Sequence, residues 1–172
     1  MQINIDSFEL EGVVGKGGFG IVKAAIKRTS MEWFAIKIVS KDQILKKRDG
    51  VSSMFNELRI LSQLPESQLW MYLHWAFTDQ RHCYLVSDLI SGGDMRYHLA
   101  NLGRTFTEKE AKFYLASLLL AVGKLHSYGI LHRDIKPENV VLNAQGFMVL
   151  TDFGISHALA SGTIGFLFEK LQ

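Results

Sequence analysis

The order of apolar patterns implies an α+β chain folded in two lobes. Five strand-like runs crowd the first half of the 172 residues, at 8–14, 22–26, 33–39, 70–78 and 82–86, with one helical pattern among them at 51–64. The pair Gly92-Gly93 then breaks the pattern, and helical spacing dominates beyond it, at 94–102 and 107–128. Strands and helices segregated in this way pack as α+β rather than as alternating α/β units. The expected division is a first lobe over 1–87, a hinge over 88–93 and a partial, mainly helical second lobe over 94–172.

Residues 8–14 alternate apolar and acidic at their start, as a half-buried strand does. The glycine-rich stretch Gly15-Lys16-Gly17-Gly18-Phe19-Gly20 follows and leads into the apolar run at 22–26. Taken alone, this is a hairpin turn. A dinucleotide-binding unit would place a helix after the glycines, and here a β-branched strand follows. Glycines also let backbone amides approach phosphate oxygens closely.

Residues 33–39 form an almost continuous apolar strand with Lys37 inside it. Such a lysine either points to water or meets an anion. A basic linker is expected over 41–49, and then a helix over 51–64 with Met54, Glu57, Leu61 and Leu64 on one face. Glu57 is an acid on an apolar stripe. It is either solvated at the stripe's edge or paired, with Lys37 as the natural partner.

In the second half, Thr107-Glu108-Lys109-Glu110 has the form of a capping box. The helix it opens is expected to bury Ala111, Leu115, Leu118, Val122 and Leu125, and Gly129 terminates it. Next comes the polar loop His132-Arg133-Asp134-Ile135-Lys136-Pro137-Glu138-Asn139, and two short apolar runs around Asn143-Ala144-Gln145-Gly146 make a miniature hairpin. The hairpin carries Asn139 and Asp152 from its two ends to one place. Phosphoryl transfer from metal-bound ATP needs this set of groups: a carboxylate, a cation, an amide and a second carboxylate. The bland alternative is a polar surface loop plus a helix-capping aspartate.

Together the glycine stretch, Lys37, Glu57, the Asp134 loop and Asp152-Phe153-Gly154 resemble the eukaryotic protein kinases, over residues 8–166. The resemblance implies ATP and Mg2+ as cofactors. It implies that Asp134 orients the attacking hydroxyl, that Lys136 neutralises the γ-phosphate, that Lys37 holds the α- and β-phosphates with Glu57 fixing it, and that Asn139 and Asp152 hold magnesium. ATP contacts are implied for Gly15, Lys16, Gly17, Gly18, Phe19, Gly20, Val22, Ala35, Asp88, Ile90, Asp94 and Val141, with Val22 and Ala35 on the adenine and small Ser87 leaving room behind it.

Lys136, two residues after Asp134, is the serine/threonine form, and the Lys136-Pro137-Glu138-Asn139 run argues against a small-molecule kinase of related fold. The stretch 85–99 is similar to the AGC group, and within it to the "yet another novel kinase" branch. The implied partner is a protein with Ser or Thr acceptors, with basic residues upstream of the acceptor meeting Asp94 and Glu138. Arg133 is implied to pair with a phosphate on the activation segment, where Ser156, Ser161 and Thr163 are the hydroxyls present. No Ala-Pro-Glu triplet follows Gly154, and the resemblance implies that further helices would cover the 107–128 helix. A non-catalytic ATP-binding or interaction module is therefore the alternative expectation.

Composition excludes other classes. With 48% hydrophobic and 21% charged residues, the chain reads as globular with a sizeable core. A net charge of +2 is too small to argue for nucleic acid or an anionic membrane. The single cysteine, Cys83, excludes an internal disulfide and fits a reducing compartment. The first residues lack the basic and apolar order of a secretory signal. The apolar stretch at 113–122 is too short to cross a bilayer. A cytoplasmic or nuclear protein, without a membrane segment, is the resulting expectation.

Overall fold

The computed structural model describes residues 3–17 and 20–159. Strands β1 (Phe8–Gly17), β2 (Gly20–Lys27), β3 (Trp33–Ser40), β4 (Leu73–Thr78) and β5 (His82–Asp88) form one antiparallel sheet in the order β1-β2-β3-β5-β4. Gly20 is required at the start of β2, because a Cβ there would run into the Ile38 carbonyl of β3. Helices α1 (Lys41–Lys46) and α2 (Gly50–Gln63) pass between β3 and β4. Among the described residues the second half holds α3 (Met95–Asn101), α4 (Glu108–Ser127) and four short strands. Of these, β6 (Ile130–Leu131) pairs with β9 (His157–Ala158), and β7 (Val140–Leu142) pairs with β8 (Met148–Leu150). The architecture is the two-lobed α+β arrangement expected, with a five-stranded first lobe.

Two clusters make the core. One joins α2, β4, α4, β7, β8 and Phe153, with Leu61, Trp70, Leu73, Leu125 and Leu150 almost wholly buried. The other lies where Phe8, Phe34, Ile36, Tyr84 and Val86 gather with Trp75 and Phe77. Because the first cluster includes residues of both halves, the cleft between them is held by packing rather than by a linker alone.

Three expectations are corrected. The linker at 41–49 contains α1, since burial of Ile44 gives that turn a reason to form. The strand expected at 70–78 begins only at Leu73. Residues 69–71 pair with β8 instead: the Met71 amide donates to the Leu150 carbonyl and the Leu150 amide to the Leu69 carbonyl, both at 2.9 Å. The Trp70 indole donates to the Pro65 carbonyl at 2.9 Å, which fixes that detour. Finally, α4 buries Ala121 and Leu125 and half-buries Leu118 and Val122, whereas Ala111 and Leu115 are exposed, together with Leu119 and Leu120. Its capping box forms as expected, with the Thr107 hydroxyl accepting from the Glu110 amide. Arg104 and the Thr107 groups hold the Glu110 carboxyl far below its usual value.

Candidate functional site

Strand register assembles the roof of the cleft. Gly15 faces Val22, Lys16 faces Ile21 and Gly17 faces Gly20, so the glycine stretch brings β1 and β2 together as an antiparallel pair; Gly18 and Phe19 lie outside the described residues. Val22 pairs with Lys37, and Ala35 with Ser87. Residues directly opposite, or two apart along one strand, share a face. Val22, Ala35, Lys37 and Ser87 therefore lie on one side of the sheet, and Ala35 and Ser87 are buried there.

Lys37 Nζ donates to both Glu57 carboxylate oxygens at 2.7 Å. The Glu57 residue is 4% exposed and the Lys37 side chain 20%. A stripe position that is apolar by spacing thus carries an acid because a cation on β3 meets it. The alternative of a solvated Glu57 is excluded.

The connection between the lobes is pinned at both ends. Asp88 closes β5, and its carboxylate accepts from the Tyr72 amide at 3.0 Å and contacts His74 Nε2 at 2.7 Å. Its side chain is thereby turned to β4, and its amide donates to the Tyr72 carbonyl at 3.3 Å. Among the described residues the Ile90 amide has no backbone partner. Gly92 and Gly93 then lie flat on β7: the Gly92 amide donates to the Leu142 carbonyl and the Leu142 amide to the Gly93 carbonyl, both at 2.9 Å. A Cβ at Gly92 would collide with the Leu142 carbonyl. Half-buried Val141 bridges to Asp94. Asp94 itself caps α3, accepting from the Tyr97 amide at 2.7 Å.

The floor of the cleft is a local cluster. Asp134 Oδ2 accepts from Lys136 Nζ at 2.7 Å and from Asn139 Nδ2 at 2.8 Å. The Asn139 amide nitrogen also donates to the Asp134 carbonyl at 2.8 Å. Lys136 first, and Asn139 after it, hold the Asp134 carboxyl below its usual value, and Asp134 in turn raises the Lys136 ammonium. The floor carboxylate is therefore ionised at neutral pH. Asn139 is buried where a 3-10 turn, Pro137–Asn139, enters β7. The Thr151 amide donates to the Asn139 carbonyl at 2.9 Å, which closes the hairpin and brings Asp152 next to it in space.

Both Arg133 and Asp152 adopt positive φ, 64° and 60°, a left-handed conformation that non-glycine residues rarely hold. Asp152 Oδ1 accepts from the Gly154 amide at 3.3 Å. Asn139 with its nitrogen engaged, and Asp152 with its second oxygen, each offer one hard oxygen. That suits a magnesium ion whose remaining ligands are phosphates and water. Among the described residues no three His, Cys, Asp or Glu side chains gather to hold a metal by themselves.

Sequence reasoning missed His132. It is buried, it donates from Nε2 to the Thr151 carbonyl at 3.0 Å, and its Nδ1 accepts from the Asp134 amide at 3.3 Å. Those two partners fix one neutral tautomer, and burial lowers its pKa. Ser53, Asn56 and Arg96 were missed as well. Arg96 ion-pairs with Glu138 at 2.6 Å, which no local pattern signals. The expectation for Ser156 as an available hydroxyl is corrected: it is 1% exposed and donates to the His132 carbonyl at 2.9 Å. Arg133 donates from Nε to the Ile155 carbonyl at 2.7 Å. Ser161 and Thr163 lie outside the described residues.

The protein kinase domain family model matches residues 8–167. The chain is 38% identical over 155 residues to a probable serine/threonine-protein kinase of Dictyostelium discoideum, covering 90% of this chain and 33% of that protein. Serine/threonine-protein kinase 32B of Homo sapiens is 39% identical over 155 residues, covering 90% and 37%. Serine/threonine-protein kinase Sgk1 of Danio rerio is 40% identical over 148 residues, covering 86% and 34%. The chain thus spans about a third of the length of these relatives. With that match laid over a bidentate Lys37–Glu57 pair and an Asp134–Lys136–Asn139 cluster, the chain belongs to the protein kinase family.

Proposed function

We propose that the chain is the ATP-binding and catalytic part of a serine/threonine protein kinase. The observation that carries this reading is the ionised Asp134 carboxylate, held at once by Lys136 and Asn139. In the proposed reaction a Ser or Thr hydroxyl oxygen of a protein substrate attacks the γ-phosphorus of ATP. The new O–P bond forms, the bond from γ-phosphorus to the bridging oxygen breaks, and ADP leaves.

Asp134 orients the hydroxyl and takes its proton. A carboxylate with a lowered pKa is a weak base, so its main work is positioning, as a loose transition state requires. Lys136 leaves Asp134 for the γ-phosphate as charge moves, and Lys37, steadied by Glu57, holds the α- and β-phosphates. Asn139 and Asp152 would hold Mg2+, which supplies charge neutralisation across the phosphates when bound.

The glycine hairpin (Gly15, Lys16, Gly17, Gly18, Phe19, Gly20), Val22, Ala35, Val141, Asp94 and the backbone of Asp88 and Ile90 complete the nucleotide site. The lobes at 1–87 and 94–172 with a hinge at 88–93 are part of the same reading. So are an AGC-like character, membership of the "yet another novel kinase" branch, and a cytoplasmic or nuclear location. Among the described residues no helix is long and apolar enough to cross a membrane.

A preference for basic residues upstream of the acceptor rests on Asp94 and Glu138. Because Arg96 already pairs with Glu138 at 2.6 Å, a substrate arginine must displace it. Equal phosphorylation of matched peptides with and without the basic residues would remove this preference.

The exposed Leu115, Leu119 and Leu120 on α4 favour a second reading, an ATP-binding or interaction module without transfer. Peptide phosphorylation that vanishes in Asp134→Asn supports the kinase. Nucleotide binding with no phosphorylation by the parent chain supports the module.

A further inference from the structure

Three successive backbone carbonyls after Asp152 are each held by a side chain from elsewhere. Ser53 Oγ donates to the Gly154 carbonyl at 3.0 Å, Arg133 Nε to Ile155 at 2.7 Å and Asn56 Nδ2 to Ser156 at 2.6 Å. Two of the three donors sit on α2, about a hundred residues away in sequence, and the third belongs to the Asp134 loop. The direction of the Asn56 amide is set by its other end, where Oδ1 accepts from Arg59 at 3.3 Å. Ser156 is itself fixed on the opposite side, because its hydroxyl donates to the His132 carbonyl and it is 1% exposed.

Asn56 is the covalent neighbour of Glu57. α2 has no side-chain cap from Asp49 at its start, and Val51 and Phe55 on its first turns are exposed. Leu58, Ile60 and Leu61 fix the later turns of α2 in the core, so it is the earlier turns, up to Asn56, that depend on contacts of the polar side. A shift of α2 that breaks the Asn56 bond to Ser156 also moves Glu57 relative to Lys37, whereas the Lys37 backbone is held independently by β2 and β5.

We propose that Asn56 is a positioning residue: anchored on the Ser156 carbonyl, it holds α2 where Glu57 meets Lys37. The inference rests on the reading of Lys37 as a phosphate-binding group. Neither Asn56 nor Ser156 is assigned any contact with nucleotide or metal; in this inference the effect passes through Glu57, and an effect passing through the Asp152 segment would instead persist in the Glu57→Gln background. That gives the idea its test, because two residues acting through one pair are non-additive.

The experiment is a titration of the 172-residue chain with a fluorescent ATP analogue in magnesium. It compares the parent, Asn56→Leu, Glu57→Gln and the double variant, with urea unfolding confirming that each is folded. The expected result is binding about three- to tenfold weaker in Asn56→Leu, the size of one hydrogen bond to a buried group. In the Glu57→Gln background the same substitution should change affinity by less than about twofold. Asn56→Ala, which opens room for water at the Ser156 carbonyl, takes the place of Asn56→Leu should that variant fail to fold. Equal weakening in both backgrounds, or no weakening in either, would overturn the inference while leaving the nucleotide site intact. Absence of binding by the folded parent chain would overturn the nucleotide reading, and this inference with it.

Discussion

The roof and the floor of the cleft are built on opposite principles. The roof pair, Lys37 and Glu57, joins residues 20 apart on two separate elements, and Glu57 is buried. The floor cluster joins residues 2 and 5 apart within one loop, and Asp134 and Lys136 keep access to water. A long-range buried pair is part of what holds the fold. A local, solvated cluster contributes little to stability and is there for its geometry. Substitutions should therefore separate the two regions: those in the roof cost folding free energy along with nucleotide binding, and those in the floor cost chemistry with little loss of stability.

The largest effect is expected in the floor. Asp134→Asn removes the proposed proton acceptor while keeping size and most hydrogen bonding. It should lower the turnover rate about a hundred- to ten-thousandfold, the usual contribution of a positioned acid or base. Its unfolding midpoint should stay close to that of the parent. Peptide phosphorylation at saturating MgATP and a urea unfolding curve measure the two. A variant that keeps its rate, or one that loses as much stability as a roof substitution, would break the contrast.

In the roof the order reverses. Lys37→Met leaves Glu57 buried without its cation, and removal of one partner from a buried pair is strongly destabilising. A loss of about 3 kcal/mol is expected, the low end of the range, because Lys37 keeps part of its side chain in water. The denaturation midpoint in urea should drop with an unchanged slope. The rise in melting temperature on adding MgATP should also disappear. Recovery of stability in Lys37→Met with Glu57→Leu would sharpen the point, since an apolar pair of similar shape replaces the ion pair without a desolvation cost.

A smaller effect links the floor to pH. His132 is kept neutral by burial, so its folded value lies below the 6.5 of an unfolded chain. The sign follows: the unfolded state takes up a proton first, so stability is complete above 6.5 and is lost as pH falls through that value. The slope from this one group reaches at most about 1.4 kcal/mol per pH unit. Asp134 acts with the same sign, but in the window below the carboxylate value of 3.8. His132→Gln should flatten the loss of stability just below 6.5 and leave the lower window unchanged, as read by urea unfolding at a series of pH values. An unaltered profile would show that the imidazole titrates alike in both states.

Sequence and structure agree most where signals are local or where a residue contradicts its surroundings. Lys37 inside an apolar strand and Glu57 on an apolar stripe each violate a pattern, and the two violations explain each other at 2.7 Å. The Asp134 loop was legible because its members lie within six residues of one another. What stayed hidden depends on partners distant in sequence. Asn56 and Ser53 are ordinary polar residues of a helix until the carbonyls at 156 and 154 arrive beside them. Arg96 is an unremarked surface cation until the fold places Glu138 against it. The α4 stripe was misplaced because leucines surround that helix, at 115, 118, 119, 120 and 125, and periodicity cannot choose a buried face among them. Burial of Ala121 in place of Leu115 is decided by what the helix packs on.

The smallest expected effect is also the one that separates strain from chemistry most cleanly. Asp152 holds φ at 60°, where a side chain is unfavourable and glycine is not. Among the described residues its carboxylate accepts one hydrogen bond, from the Gly154 amide, and that bond is long at 3.3 Å. Asp152→Gly removes a charged group from the cleft and relieves the backbone, so it should unfold within about 1 kcal/mol of the parent and on the stable side of it. Asp152→Ala keeps the strain and loses the carboxylate, and should be less stable than the glycine variant by roughly 1 kcal/mol. Both variants should lose the part of the ATP-induced rise in melting temperature that depends on magnesium, and keep the part measured in a chelator. An alanine variant as stable as the glycine one would mean that the backbone there is unstrained, and that Asp152 sits left-handed for reasons of packing alone.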